Sequence, residues 1–403
     1  MELLVLGCHA GMPTDGLASS GYLVSTEACR ILLDCGPGVA TALSARGGAG
    51  SLDAIVVSHL HPDHCFDLLP IGTTRLRQAG SAPLPLYVPR GARTLLDNLA
   101  QTFPLRPESE SGTPFHHAFA VVEYEPGAVF EVGDCRQLFT IQSISKPFMY
   151  GLALEDHGLE GVLSKVGVEP TGEAFNAIVL DEGSNRPFNP MVNAGAIATA
   201  DLIKGQDFPQ RVTRLLAMFG KYCGRDMYID NSVFMSERMT GHRNRAIGHL
   251  MLNFGMVGEK IEDSLELYFQ QCSVLVNCRD LALMGATLAG GGVNPLTKTR
   301  AIPQPYVKYL LSIMLSCGMY DYAGEWAYRV GIPSKSGVGG GIVGVIPGQF
   351  GIGIFSPPLA AKGNSVRGIR ACRELSERFG LHAFESGFTG PTLRDLLTPT
   401  RNG

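Results

Sequence analysis

Residues 139–148 read Phe-Thr-Ile-Gln-Ser-Ile-Ser-Lys-Pro-Phe, and this stretch decides how the larger part of the chain is interpreted. Ser143 and Lys146 lie three positions apart, so a helix that begins here places both side chains on one face. A serine hydroxyl needs a neighbouring base to become a nucleophile, and a lysine amine removed from water is such a base. The free N–H groups at a helix start also suit a developing oxyanion.

A serine three residues before a lysine is expected by chance in a chain of this length. In such a chance match the serine lies near the start of a helix and the lysine is exposed to water. A second stretch favours the catalytic interpretation. Residues 335–341 read Lys-Ser-Gly-Val-Gly-Gly-Gly, directly before an apolar run. This element is similar to the Lys-Thr-Gly that accompanies Ser-x-x-Lys in serine β-lactamases and penicillin-binding proteins.

Further stretches carry a resemblance to one family. They are Gln142-Ser-Ile-Ser-Lys-Pro-Phe148, Asn189-Pro-Met-Val-Asn-Ala-Gly-Ala196, Tyr268-Phe-Gln-Gln-Cys-Ser273 and Lys335-Ser-Gly-Val-Gly-Gly-Gly341. Over about residues 132–403 the chain resembles the bacterial glutaminases. The resemblance implies a serine β-lactamase-like fold, in which helices flank an antiparallel sheet and a second subdomain is all helical. The apolar run is predicted to form two strands over 340–356, joined at Ile346-Pro-Gly-Gln.

The same resemblance implies roles for single residues. Ser143 would attack the γ-carboxamide carbon of L-glutamine, Lys146 would accept its proton, and Tyr268 would share in the relay to the leaving ammonia. Binding of the substrate would fall to Ser143, Asn193, Glu237, Asn244, Tyr268, Tyr320 and Val338, with the N–H groups of Ser143 and Val338 as oxyanion hole. No cofactor would be required. Taken singly, Asn193, Asn244 and Glu237 could also be helix caps or exposed polar residues. Tyr268 and Tyr320 could be ordinary half-buried aromatic residues.

The first third of the chain has a different pattern of predicted secondary structure. Short β-like runs at Glu2–Leu6, Gly21–Ser25, Ile31–Asp34, Ala54–Ser58, Pro85–Val88 and Ala118–Tyr124 alternate with helical candidates at Thr73–Ala79 and Ala92–Thr102. This alternation predicts a layered α/β unit. After Ser143 the apolar spacing predicts helices over 145–157, 191–204, 208–223, 243–254, 262–270, 278–288, 304–316 and 367–379. We therefore expect a two-part α/β chain.

Residues 58–67, Ser-His-Leu-His-Pro-Asp-His-Cys-Phe-Asp, follow an apolar strand. His59, His61, Asp63 and His64 are of the types that bind zinc, although a solvated polar loop is the plain alternative. With Leu32-Leu-Asp34-Cys-Gly36, they resemble the ribonuclease Z-like branch of the metallo-β-lactamase superfamily over about residues 1–131. The resemblance implies one metal at His59 and His61, a second at Asp63 and His64, and Asp34 in support.

The second half of that superfamily's fold is missing here, so the first segment is predicted to be a truncated unit. It meets the glutaminase-like part, predicted as residues 132–403, near Phe130. Residues 117–133 read as a hairpin about a Glu-Pro-Gly turn, and we expect this hairpin to be shared by completing the sheet of the second part.

Charge and composition limit the partners and the cellular location that we expect for the protein. The net charge is −4 and no block of like charges occurs, which argues against a nucleic-acid partner. The most apolar stretch is interrupted by glycine and proline, so no membrane span is expected. Ten scattered cysteines without a secretory leader predict reduced thiols in the cytoplasm. We expect a homo-oligomer, either a dimer or a homotetramer.

Two other functions stay open from the sequence. One is a metal-dependent phosphodiesterase or RNA-processing hydrolase that uses the four metal-type residues. The other is a folded but inactive fusion whose role is binding.

Overall fold

The computed structural model describes residues 2–9, 17–26, 29–58, 60–77, 82–89, 92–102, 117–124 and 129–385. It divides the chain into two compact units, with the boundary between Gly133 and Asp134. No helix of the described part is long and apolar enough to cross a membrane.

The first unit is built on one mixed sheet. Its strands are β1 (Glu2–His9), β2 (Ala18–Ser19), β3 (Gly21–Ser25), β4 (Arg30–Leu33), β5 (Ala54–Val56), β6 (Leu84–Pro89) and β7 (Phe119–Tyr124). They lie in the order β2-β1-β3-β4-β5-β6-β7, and β4 to β7 run parallel to one another. The helices are α1 (Val39–Ser44), α2 (Pro62–Cys65), α3 (Leu68–Arg77) and α4 (Ala92–Thr102). The predicted alternation of strands and helices is confirmed.

The expectation of a shared hairpin over 117–133 is wrong. The strand predicted at Ala118–Tyr124 exists as β7, but it pairs in parallel with β6 inside the first unit. The second arm does not form, since residues 129–133 contain no strand. Within the described residues, the three-stranded sheet of the second unit consists of Ser334–Ser336, Gly341–Ile346 and Phe350–Phe355, so β7 is not part of it.

The second unit is mainly helical. Its helices are α5 (Lys146–Leu163), α6 (Asn193–Asp201), α7 (Phe208–Cys223), α8 (Asn231–Thr240), α9 (His242–Asn253), α10 (Ile261–Cys272), α11 (Cys278–Ala289), α12 (Gln304–Cys317), α13 (Ala323–Arg329) and α14 (Val366–Phe379). Its strands are β8 (Phe139–Thr140), β9 (Leu275–Val276), β10 (Ser334–Ser336), β11 (Gly341–Ile346) and β12 (Phe350–Phe355). The predicted hairpin at the Ile346-Pro-Gly-Gln turn is confirmed, with Ile346 opposite Phe350.

The β11 strand is buried along its whole length because helices cover both of its faces. Alternate side chains of a strand point to opposite faces. Val343 and Val345 join the large helical core, whereas Ile342 and Ile346 join a smaller cluster around Trp326. The sheet therefore lies between two apolar layers, as the glutaminase resemblance implies.

Glycines set the distance between α11 and the sheet. A Cβ at Gly353 would lie 2.1 Å from the carbonyl oxygen of Cys278 and 2.6 Å from the amide nitrogen of Ala282. Those neighbours are backbone atoms, so they have no rotamer that makes room. The helix can approach the strand this closely only because the residue has no side chain.

The Gly353→Ala variant is expected to lower the free energy of unfolding of the second unit by about 1–3 kcal/mol, because the new methyl group overpacks the helix–sheet contact. Trp326 is the one tryptophan of the chain and is fully buried, so its fluorescence follows this unit during guanidinium unfolding. Gly324→Ala is the matched control, since a Cβ there meets open space. Equal unfolding midpoints for the two variants would contradict this account of the packing.

Candidate active site

Ser143 lies in a 3-10 turn, Gln142–Ser145, directly before helix α5. Only 5% of Ser143 is exposed to solvent. Gln142 has a φ of 51°, a left-handed conformation that is uncommon for a residue with a side chain. Because such strain persists only where the surroundings hold it, the turn presents Ser143 in a fixed position.

Lys146 is the first residue of α5 and is 1% exposed. Its Nζ donates to the carbonyl oxygen of Met191 at 3.0 Å and to Oδ1 of Asn193 at 2.8 Å. Burial lowers the pKa of this amine to about 8, while the nearby Cys272 acts in the opposite direction. None of the ion pairs among the described residues involves Lys146, so no carboxylate holds its proton in place.

The two acceptors of Lys146 are fixed by the turn before α6. The Oδ1 atom of Asn189 accepts from the N–H groups of Met191 at 2.9 Å and Val192 at 3.2 Å. A Cβ at Gly195 would lie 1.9 Å from the carbonyl oxygen of Asn189, so glycine is required there. Asn193 also donates through Nδ2 to Oδ1 of Asn244 at 2.9 Å. The predicted pair Asn193 and Asn244 is thus joined to Lys146.

The glycine-rich segment 337–341 lies against the segment that carries the serine. A Cβ at Gly337 would come within 3.0 Å of the carbonyl oxygen of Ile141, and one at Gly341 within 2.7 Å of Cδ1 of Ile144. Glycine therefore permits the two segments to approach. This approach brings Lys335, Ser336 and Val338 to the same site as Ser143.

Tyr320 lies next to Ser143. The Ser143 hydroxyl and the N–H of Val338 are close enough to the Tyr320 oxygen to lower the pKa of the phenol, against the larger effect of burial. The Tyr320 hydroxyl donates to the carbonyl oxygen of Ser336 at 2.9 Å. Burial raises the pKa of Tyr320 well above its ordinary value, so the phenol stays protonated. The structure therefore brings Ser143, Tyr320 and Val338 together.

Tyr268 and Glu237 lie next to this group. Burial, followed by the neighbouring Cys272 and Glu237, raises the pKa of Tyr268 well above its usual range, which keeps its proton available. Burial also raises the pKa of Glu237, and a hydrogen bond from Gln142 opposes that effect. Glu237 takes part in none of the ion pairs formed by the described residues, whereas the adjacent Arg238 pairs with Glu266 at 2.7 Å.

A cavity of about 340 Å³ adjoins this group. Phe175, Met191 and Tyr320 line it, together with parts of 170–173 and 316–324. The ring of Phe175 lies 5.9 Å from Nζ of Lys146 and 4.6 Å from the ring centroid of Tyr320. The volume of this cavity is within the range of small-molecule pockets.

The predicted metal residues belong to the first unit. His61 precedes α2, and Asp63 and His64 lie within it, whereas His59 is outside the described residues. Nδ1 of His64 is 2.7 Å from Oδ2 of Asp34, and its Nε2 is 3.5 Å from Oδ2 of Asp63. In the described part of the chain, no three His, Cys, Asp or Glu side chains are grouped to hold a metal ion. Whether the predicted residues can hold a metal ion therefore depends on His59.

Sequence reasoning missed several residues of the site. Gln142, Phe175 and Cys272 received no role, and Lys335 was noticed only as part of a motif. The contact of Ser143 with Tyr320 was also not expected. The Lys-Ser-Gly motif pointed to Lys335, but no sequence signal marks the left-handed backbone at Gln142.

Comparison with known proteins gives two family matches. The family described as Glutaminase matches residues 107–384, and a Beta-lactamase superfamily domain matches residues 29–160. A glutaminase of Microcystis aeruginosa is 63% identical over 292 residues, which is 72% of this chain and 85% of that protein. A glutaminase of Trichormus variabilis is 61% identical over 279 residues, 69% of this chain and 83% of its own.

Solved structures agree with these matches. A probable glutaminase of Bacillus subtilis has a TM-score of 0.60 at 36% identity, covering 62% of this chain and 84% of its own. The probable glutaminase YbaS has a TM-score of 0.62 at 44% identity, covering 63% and 82%. The second unit thus has the β-lactamase-like fold of these hydrolases. The chain belongs to the glutaminase family and carries a β-lactamase superfamily domain in its N-terminal part.

The ionisation of Lys146 is directly testable. In the wild type its amine is expected to titrate at about 8. Asn193→Asp places a carboxylate beside the amine and should raise that pKa by about 1–3 units. The measurement is the ¹³Cε chemical shift of Lys146 against pH, assigned with Lys146→Arg. Asn253→Asp, an exposed change of equal charge, should leave it unmoved. A wild-type pKa near the ordinary lysine value would contradict the site described here.

Proposed function

We propose that this protein hydrolyses L-glutamine to L-glutamate and ammonia through an acyl-enzyme on Ser143, with Lys146 as the base. The observation that carries the proposal is the buried amine of Lys146, which has no carboxylate partner among the described residues and lies one helical turn from Ser143, in a member of the glutaminase family. An amine that loses its proton at about 8 is partly neutral at physiological pH. It is therefore able to accept the proton of the serine.

The first half of the reaction forms the ester. Oγ of Ser143 attacks the side-chain carboxamide carbon of glutamine while its proton passes to Nζ of Lys146. The developing oxyanion accepts hydrogen bonds from the N–H groups of Ser143 and Val338. On collapse the C–N bond breaks, and ammonia leaves with the proton returned from Lys146 through Tyr268. Water then attacks the ester by the same path in reverse and releases glutamate.

The amino-acid end of the substrate distinguishes glutamine from other amides. Glu237 offers a carboxylate without a cationic partner among the described residues, which suits the α-ammonium group. Asn193, Asn244 and Tyr320 supply hydrogen-bonding groups for the α-carboxylate and the chain of the substrate. A buried polar site of this kind discriminates strongly, because an analogue that lacks one group leaves its partner unsatisfied.

The reaction as proposed needs no metal ion, since protein atoms supply the nucleophile, the base and the oxyanion hole. Zinc at His59, His61, Asp63 and His64 stays a separate proposal for the first unit. All ten cysteines are thiols, which supports a location in the reducing cytoplasm. The homo-oligomer, dimer or tetramer, also stays a prediction.

Ser143→Ala is expected to abolish ammonia release from glutamine, because it removes the hydroxyl that forms the ester. The loss should be on the order of 10³-fold or more. Ser312→Ala removes an exposed hydroxyl that donates to the carbonyl of Lys308, and it should retain full activity. Ammonia release by Ser143→Ala at the wild-type rate would remove the central residue of the proposal.

Treatment with EDTA, followed by dialysis, should leave ammonia release from the full chain unchanged. Metal content is measured before and after treatment by mass spectrometry. Loss of glutaminase activity together with a stoichiometric metal would overturn the metal-free mechanism. A phosphodiesterase activity lost in His61→Ala but kept in Ser143→Ala would instead establish the metal-dependent function of the first unit.

A further inference from the structure

Lys335 is a second lysine buried at this site, and the mechanism above does not use it. It lies in the middle of β10 and is 0% exposed. None of the ion pairs in the described part of the chain includes it. Lysine is almost never fully buried without a partner, because removing its charge from water is costly. Its presence therefore calls for a reason other than stability.

The contacts of the Lys335 amine converge on Tyr320. Its Nζ donates to the carbonyl oxygen of Ser336 at 2.8 Å, and it lies over the Tyr320 ring, 4.1 Å from the centroid. The hydroxyl of Tyr320 donates to the same Ser336 oxygen at 2.9 Å. One carbonyl oxygen thus accepts from both side chains and fixes the phenol relative to the amine.

The other side of Tyr320 faces the nucleophile. Ser143 and the N–H of Val338 lie close enough to its hydroxyl to affect the pKa of the phenol. Tyr320 also has a φ of 58°, so its backbone is held in an uncommon conformation. A connected path therefore runs from Lys335 through Ser336 and Tyr320 to Ser143, and a small displacement of the ring would move the group that contacts the serine.

We propose that Lys335 is a positioning residue for glutamine hydrolysis, which holds the Tyr320 hydroxyl against Ser143 through the shared Ser336 carbonyl and the ring contact. The inference rests on the proposed function of Ser143. Lys335 acts through Tyr320, since the amine contacts Ser336 and the ring. Burial, and then the nearness of Lys146, hold the pKa of Lys335 well below its ordinary value. A neutral amine still donates the hydrogen bond to the Ser336 carbonyl and still packs on the Tyr320 ring, so the arrangement does not require a buried charge.

The test is a double-mutant cycle on the full chain, with Lys335→Met, Tyr320→Phe and the double variant, measured by kcat and KM for ammonia release. Methionine keeps most of the lysine stem and removes the donor. Lys335→Met alone should lower kcat by about tenfold or more, as expected when a reacting group is misplaced. In the Tyr320→Phe background the same change should have almost no further effect on kcat. Independent losses that multiply in the double variant would overturn the inference, as would unchanged kcat in Lys335→Met.

Two controls separate positioning from a general loss of structure. Lys308→Met removes an exposed lysine whose Nζ lies 4.9 Å from the ring centroid of Tyr309, and it should match the wild type. Trp326 fluorescence during unfolding shows whether each variant is folded. If Lys335→Met does not fold, the cycle is run with Lys335→Gln, whose amide is too short to span the same contacts.

The outcomes also separate this inference from the proposed function. Activity retained in Ser143→Ala would refute the acyl-enzyme mechanism as a whole. An inactive Ser143→Ala together with an additive cycle would refute only the role of Lys335.

Discussion

The burial of two lysine amines, neither of which has a carboxylate partner in the described part of the chain, is the constraint on which this active site depends. Water and acidic side chains would both favour the ammonium form, and the described residues surround Lys146 and Lys335 with neither. The acceptors that these amines do have are neutral, namely carbonyl oxygens and one amide. A protein that keeps amines in this state holds a base ready near neutral pH. The same desolvation makes the site costly, so its surroundings must be rigid.

Rigidity comes from close approach of backbone segments that are distant in sequence. Gly195 allows the carbonyl of Asn189 to lie against α6, and this fixes both acceptors of Lys146. Glycines at 337 and 341 allow the segment after β10 to lie against residues 141–144. The nucleophile, the base and the oxyanion donors thus come from three separate parts of the second unit. Their relative positions depend on close approaches that glycine permits, and the approach is closest at Gly195, where the neighbour is a backbone oxygen.

Much of this architecture was predictable from local sequence. The apolar spacing gives the helices of the second unit, and the Pro-Gly pair gives the hairpin of β11 and β12. Strand β7 shows where prediction from local sequence fails. Its alternating pattern is compatible with either sheet, and the choice of a parallel partner, β6, depends on non-local packing that no local pattern records. The neighbours of Lys146 and the proximity of Tyr320 to Ser143 could not be predicted from local sequence for the same reason. Residues 146, 193 and 320 come together only in the folded chain.

The central claim is that a neutral Lys146 amine activates Ser143, and the pH dependence of kcat/KM for ammonia release by the wild-type protein tests it most directly. Because only the unprotonated amine accepts the serine proton, the account predicts that kcat/KM rises about tenfold per pH unit below about 8 and levels off above it. A kcat/KM that is already level across the range below 8 would contradict the account, since the base would then lose its proton at far lower pH than this amine.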